Sequence, residues 1–198
     1  MRRLFPIGLI AALVCVLVGC EPQKSLFPLA TEEDKVFDSQ LLGEWKIWTG
    51  TELKSDEKPG FITFSKDKDP YIYDVRIPNF GDDSSTTLTS RAKLVKLGNL
   101  LFVDFEAPDL DKLPHFPYPA IESHVFGKLS LQNDKARIDF LSDDWVQDSI
   151  KAGKLPLAFV ALQGPVLSAS TADLRRFAVD HADDPKAFSE IMSLARNN

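Results

Sequence analysis

The stretch YIYDVRI, residues 71–77, indicates the fold class because its apolar and polar side chains alternate. A period of two is typical of a β-strand that is buried on one face only. The apolar face of this strand would carry Tyr71, Tyr73, Val75 and Ile77. Its polar face would carry Asp74 and Arg76. The stretch therefore predicts a sheet that covers a hydrophobic core on one side.

Seven other stretches predict further strands, which brings the expected number to eight. They are a short strand entered through Gly43–Trp45, then Phe61–Ser65, Thr86–Leu97, Asn99–Glu106, Ala120–Leu131, Ala136–Leu141 and Leu157–Leu162. The pair Gly98 and Asn99 suits a tight hairpin turn. The last of these stretches is apolar on both faces, so we expect it to be a buried strand.

Three short helices are predicted in the C-terminal half of the chain. The first, Asp143–Ala152, has Ser142 in the position of an N-cap and Gly153 directly after its end. The second begins at the capping box Ser170–Asp173. The third opens at Asp184–Pro185. The residues that this third helix would turn towards the core are Phe188, Ile191 and Met192.

The segment Gly43–Trp45 reads Gly-Glu-Trp and resembles the G-x-W motif of lipocalins and their bacterial relatives. The resemblance implies a closed barrel in which Trp45 closes the narrow end. It also implies that a helix follows the last strand, and Ser170–Asp180 would be that helix. The predicted fold is mainly β with C-terminal helices (α+β), with about eight antiparallel strands. They form either a lipocalin-like barrel or a strongly curved sheet with the helices on one side.

The first residues, MRRLFPIGLIAALVCVLVGC, have the composition of an export signal. A basic start at Arg2 and Arg3 is followed by an apolar run, Leu4–Val18, and by the small residue Gly19. The run is shorter than the ~20 residues that a helix needs to cross a bilayer. Residues 1–19 are therefore predicted to be a signal peptide, with a short membrane anchor or a buried helix as the alternatives.

The end of this segment resembles the lipobox of bacterial lipoproteins. The matching residues are Leu17, Val18, Gly19 and Cys20. The resemblance implies that the Cys20 thiol receives a diacylglyceryl group and that the chain is cut after Gly19. Cys15 matches less well, because the bulky Val14 precedes it. Glu21 follows the lipidated residue where an Asp would favour the inner membrane, so the resemblance implies the periplasmic face of the outer membrane.

The predicted domains follow from that cut. They are residues 1–19 as signal peptide, 20–36 as lipidated Cys and tether, and 37–198 as one β-rich globular domain with C-terminal helices. The alternative to a free tether is that Leu26, Phe27 and Leu29 pack against the domain.

Composition limits the partners of the mature domain. The full chain has 23 Lys and Arg and 29 Asp and Glu, and loss of Arg2 and Arg3 leaves a net charge of −8. An acidic domain excludes nucleic acid as an expected partner and disfavours direct adhesion to anionic lipid. Both cysteines, Cys15 and Cys20, precede the domain, so it has no thiol for a disulfide, a metal or catalysis.

One loop is a candidate contact site. Residues 107–119 are long for a connection and contain four prolines. Their candidates for contact with a ligand or partner are His115, Phe116 and Tyr118. The alternative is a stiff loop whose aromatic side chains cap the core.

A metal site is not predicted. Glu122 and His124 share one strand face near Asp104 or Glu106, but metal sites need three or four convergent ligands. The chain also has no G-x-S-x-G motif and no Gly-rich phosphate loop. We therefore expect no cofactor, and a hydrolase is the least favoured function.

The expected function is that of a lipid-anchored envelope lipoprotein whose mature domain is a binding or interaction module. Its expected partners are the membrane, reached through the lipid on Cys20, and a protein of the cell envelope. The alternative is a lipocalin-like carrier that holds a small apolar ligand inside the barrel.

Overall fold

A computed structural model describes residues 22–79, 87–106, 122–162 and 164–197. The strands are β1 (Lys24–Ser25), β2 (Lys35–Val36), β3 (Gly43–Thr49), β4 (Gly60–Lys66), β5 (Ile72–Ile77), β6 (Leu88–Leu97), β7 (Leu100–Glu106), β8 (His124–Gln132), β9 (Lys135–Phe140), β10 (Phe159–Ala161), β11 (Pro165–Leu167) and β12 (Glu190–Arg196). The helices are α1 (Asp143–Lys151) and α2 (Thr171–His181), with a 3-10 turn at Ser39–Leu41. None of the described helices is long and apolar enough to cross a membrane.

Eight of the strands close into an antiparallel barrel. Strands β3 to β9 follow one another around it, and β12 lies between β9 and β3. On one side of β12, Arg196 is aligned with Trp45, and on the other, Ala195 is aligned with Lys135. The barrel confirms the predicted fold class and decides against an open, curved sheet.

Strand β12 occupies a segment for which the sequence predicted a helix, and that prediction was wrong. The spacing of Phe188, Ile191 and Met192 fits one helical face, but β3 and β9 each have an edge of backbone N–H and C=O groups that needs a partner. Met192 and Leu194 then pack into the barrel interior. Only a turn remains of the predicted helix, in which Phe188 N donates to the Asp184 carbonyl at 3.1 Å.

The prediction of a buried strand at 157–162 was also wrong. Strand β10 covers only Phe159–Ala161, and all three of its residues are exposed. It lies outside the barrel at the edge of a small sheet formed with β11 and β1. Apolar side chains on both faces indicated burial, but no described element covers the outer edge of this strand.

The barrel interior is filled by side chains from every one of its strands. The largest that are fully buried there are Trp45, Tyr73 and Phe64. Phe105 and Phe140 meet across the interior with their ring centroids 6.1 Å apart. Each large apolar side chain buried in this way contributes about 1.5–3 kcal/mol to stability.

A second apolar layer lies outside the barrel, where the two helices pack. Phe102 and Phe126 point outwards from β7 and β8 into this layer. The helices touch each other through Trp145 of α1, which lies against Phe177 and His181 of α2. Helix α2 precedes the last barrel strand, so the helix order implied by the lipocalin resemblance is wrong for this chain.

Gly127 lets the barrel wall close between β8 and β9. A Cβ at this position would lie 2.6 Å from Cγ2 of Ile138 and 2.9 Å from the carbonyl oxygen of Asp139. Real Cβ atoms do not approach other atoms so closely. Only glycine therefore fits this position without a shift of the neighbouring strand.

Candidate functional site

Trp45 and Arg196 pack against each other near one end of the barrel. The guanidinium carbon of Arg196 lies 4.1 Å from the centre of the Trp45 ring. The same guanidinium donates hydrogen bonds to the carbonyls of Leu42 and Gln40. Trp45 is itself fully buried, and its indole N–H donates to the Leu41 carbonyl at 2.8 Å. The Trp45 ring is thus covered by a residue that lies more than a hundred positions further along the chain. That Trp45 closes the narrow end of the barrel remains a prediction.

An Arg196→Ala variant is expected to lower the free energy of unfolding by about 1–2 kcal/mol, because it removes a cation–π contact and two hydrogen bonds. Urea denaturation followed by fluorescence measures this loss. Arg176→Ala is the matched control: Arg176 is exposed and its contact with Asp173 is 3.4 Å long, so its loss should stay within about 0.5 kcal/mol. Equal losses in the two variants would show that the guanidinium does not stabilise this end.

The hydroxyl group of the buried Tyr73 has two hydrogen-bond partners. Its hydroxyl donates to the Asp38 carbonyl at 3.0 Å and accepts from the Asp38 N–H at 2.7 Å. Burial raises the pKa of Tyr73 to about 12, so the side chain stays neutral. Val75 lies beside it in the core, whereas Tyr71, grouped with them in the sequence, is 46% exposed and does not line the interior.

The predicted contact loop connects β7 to β8. Strand β7 ends at Glu106 and β8 begins at His124, and these two residues are aligned with each other. The candidates in the loop between them lie outside the described residues. These candidates are His115, Phe116 and Tyr118. Their contact with a ligand or partner remains a prediction.

A buried carboxylate on the outer wall clamps the N-terminal segment to the barrel. Asp104 of β7 is only 1% exposed. Its Oδ2 accepts hydrogen bonds from the backbone N–H groups of Leu29 at 2.7 Å and Ala30 at 3.0 Å. Its Oδ1 lies 2.9 Å from Nδ1 of His124. A buried carboxylate needs such partners, and here the backbone of a distant segment supplies two of them.

Helix α2 holds the same segment from the other side. Arg175 donates from Nε to the Leu29 carbonyl at 2.8 Å and forms a 2.6 Å ion pair with Asp34. Hydrogen bonds from Thr31 and Arg175 lower the pKa of Asp34. Thr171 adds a hydrogen bond to the Pro28 carbonyl at 2.7 Å. We call Asp104, His124, Thr171 and Arg175 the N-terminal clamp.

Residues 22–36 are therefore packed on the domain and do not form a free tether. Of the residues for which docking was the alternative, Leu29 is fully buried and Phe27 is exposed. The chain enters the described structure at Pro22, which forms a β-bridge with Ser142. The lipobox residues precede this point and lie outside the described residues. These residues are Leu17, Val18, Gly19 and Cys20.

Charged side chains near His124 are paired with one another. Glu106 meets Arg91 at 2.7 Å and Lys93 at 2.9 Å. Burial alone would raise the pKa of Glu106, but the two cations outweigh it and hold this pKa below its usual value. Glu122 is exposed to solvent. Within the described ranges, no three His, Cys, Asp or Glu side chains are arranged to hold a metal ion.

A shallow groove of about 260 Å³ lies on the outer wall between β8, β9 and the turn before β12. Its charged groups already have partners. Lys128 donates to the Ala182 carbonyl, and Arg137 donates to Asp139 at 2.6 Å. The groove is open and polar, so it does not resemble an enclosed site for an apolar ligand.

No protein-family model, curated protein or solved structure gives a significant match to this chain. What the protein does is therefore inferred from its own residues.

Proposed function

We propose that this chain is a bacterial lipoprotein, held by a diacylglyceryl group on Cys20, and that its barrel is a binding module that presents its outer surface to other components of the cell envelope. Glu21 favours the periplasmic face of the outer membrane. The observation that carries the proposal is the filled interior. Trp45, Phe64 and Tyr73 occupy the space in which a lipocalin-like carrier would hold its ligand.

The N-terminal clamp supports the anchoring part of the proposal. It holds residues 28–34 against the barrel wall, and the bridge between Pro22 and Ser142 holds the start of the same segment. A domain fixed in this way presents one constant side to the membrane and leaves the other sides for partners. The acidic character of the domain fits attachment through lipid, because the protein surface itself would be repelled by anionic head groups.

A carrier of small apolar ligands is the second candidate, because the barrel fold is compatible with a ligand-binding, lipocalin-like module. Native mass spectrometry of the detergent-extracted full-length protein separates the two. We expect the mass of the chain with its acyl groups, and a protein partner that is lost from the Cys20→Ser variant. A small apolar molecule bound one to one in both proteins would contradict the interaction module and favour the carrier.

A further inference from the structure

An exposed apolar hairpin lies beside strand β1. It consists of β10, Leu162 and β11, and we call it the apolar hairpin. Phe159 is 40% exposed, Val160 38% and Leu162 57%. The hydrogen bond from Leu162 N to the Gly164 carbonyl, 2.9 Å long, closes its turn. Single apolar residues are common on protein surfaces, but several exposed ones within four successive residues make this hairpin a candidate contact site.

The sequence segment that contains the hairpin has no charged residues. Charged residues make up 26% of the chain, yet none occurs between Lys154 and Asp173. An edge strand that faces water is normally protected by charged side chains. Strand β10 carries no charged side chain, so an apolar contact suits its exposed residues.

The position of the hairpin is fixed relative to the N-terminal segment. Strand β11 runs parallel to β1, with Leu167 aligned with Ser25. The side-chain amide of Gln23 donates to the Pro165 carbonyl at 2.8 Å. Because the two strands run in the same direction, the turn of the hairpin lies at the end where β1 begins. Strand β11 lies between β1 and β10. Because neighbouring strands are about 4.8 Å apart, β10 lies about 10 Å from β1.

The lipidated residue cannot move far from this place. Cys20 precedes Pro22 by two residues, which span at most about 7 Å. Pro22 is bridged to Ser142, and Gln23 N donates to the Leu141 carbonyl at 3.0 Å. Once the lipid on Cys20 is in the bilayer, the hairpin is held next to the membrane surface.

We propose that the apolar hairpin inserts into the interfacial layer of the bilayer that holds the Cys20 lipid, and so fixes the side of the barrel that faces the membrane. This inference rests on the proposed function, because the lipid supplies the attachment. The short connection favours the bilayer over a second copy or a partner protein. Such a protein would have to displace lipid from a hairpin that the anchor already places there.

The test uses full-length lipidated protein in phosphatidylcholine vesicles whose acyl chains carry bromine, which quenches tryptophan on contact. Phe159→Trp places a tryptophan on the hairpin. Tyr71→Trp is the matched control, since it also replaces a half-exposed aromatic residue but lies at the end of the barrel near Trp45. Both are compared with the parent, which contains Trp45, Trp48 and Trp145.

We expect the emission added by Phe159→Trp to fall at least about twofold in brominated vesicles, because interfacial side chains lie about 5–10 Å into the head-group and acyl boundary. The emission added by Tyr71→Trp should not change. Equal, unquenched emission from both variants overturns the inference. Emission from Phe159→Trp that is blue-shifted but unquenched also overturns it, because a protein then covers the hairpin.

A mass measurement on the same samples separates the two proposals. Lipid on Cys20 together with an unquenched hairpin refutes the membrane contact and leaves the proposed function standing. A chain without lipid refutes the proposed anchor. If the hairpin of such a chain is nevertheless quenched, membrane contact is supported without the anchor.

Discussion

The Cys20→Ser variant is expected to lose all incorporation of labelled palmitate and to leave the membrane fraction. A serine hydroxyl is a much weaker nucleophile than a thiol and does not take the diacylglyceryl group. Each CH₂ of the lost acyl chains contributes about 0.8 kcal/mol to membrane binding, so removal of the lipid removes stable attachment. Metabolic labelling, fractionation and the intact mass of the chain measure the effect. A chain that still carries residues 1–19 is recognised by its mass.

Cys15→Ser is the control, because the same change is made five positions earlier in the same apolar run. This variant should be labelled and retained like the parent. Labelled, membrane-bound Cys20→Ser would refute the lipobox assignment. Loss of label from both variants would indicate that export fails in general, and it would not identify Cys20 as the lipidated residue.

The Asp104→Ala variant is expected to destabilise the protein by about 3–5 kcal/mol, the cost of breaking a buried, hydrogen-bonded charge. Two buried backbone N–H groups, those of Leu29 and Ala30, lose their acceptor, and His124 loses its partner. Denaturant unfolding gives the overall loss. Hydrogen exchange at Leu29 and Ala30 shows whether the N-terminal segment has left the barrel wall.

Asp104→Asn is the informative companion, because its amide oxygen can still accept from Leu29 and Ala30. It should recover most of the stability and of the protection from exchange. Asp183→Ala is the control for a carboxylate without such a role, since the Asp183 side chain is 96% exposed, and its loss should stay within about 0.5 kcal/mol. If Asp104→Ala unfolds like the parent and keeps Leu29 protected, the clamp does not depend on this carboxylate.

The start of the N-terminal segment does not depend on Asp104. Pro22 is bridged to Ser142, and β1 is paired with β8 and β11. Asp104→Ala is therefore expected to free the segment around Leu29 and Ala30 and to leave β1 in place.

Local pattern was enough to predict most of the barrel. The alternation within residues 72–77, the turn at Gly98 and Asn99 and the cap at Ser142 each act through near neighbours, and each is present. Tyr71, which the same pattern assigned to the apolar face, is exposed instead. Strand β12 could not be predicted in this way. Its conformation is set by the edges of β3 and β9, which the chain brings together only when the barrel closes.

The candidate site was predictable only in part for the same reason. Trp45 stands in a recognisable tripeptide, but Arg196, which covers its ring, stands in no motif. From the sequence, Asp104 and His124 are recognisable only as possible metal ligands. In the structure, Asp104 accepts from the backbone N–H groups of Leu29 and Ala30. Every residue except proline has such a group, so the sequence does not indicate which ones Asp104 binds.

The closing position of β12 has a consequence for the export that we propose for this protein. The pair Arg196 and Trp45 joins residues 151 positions apart, so the barrel cannot shut until residues 190–196 are available to it. Contacts between such distant residues form slowly. A chain that is threaded N-terminus first through an export channel would therefore stay open during its passage. Because the barrel closes late, the polypeptide would remain unfolded enough to pass through the channel.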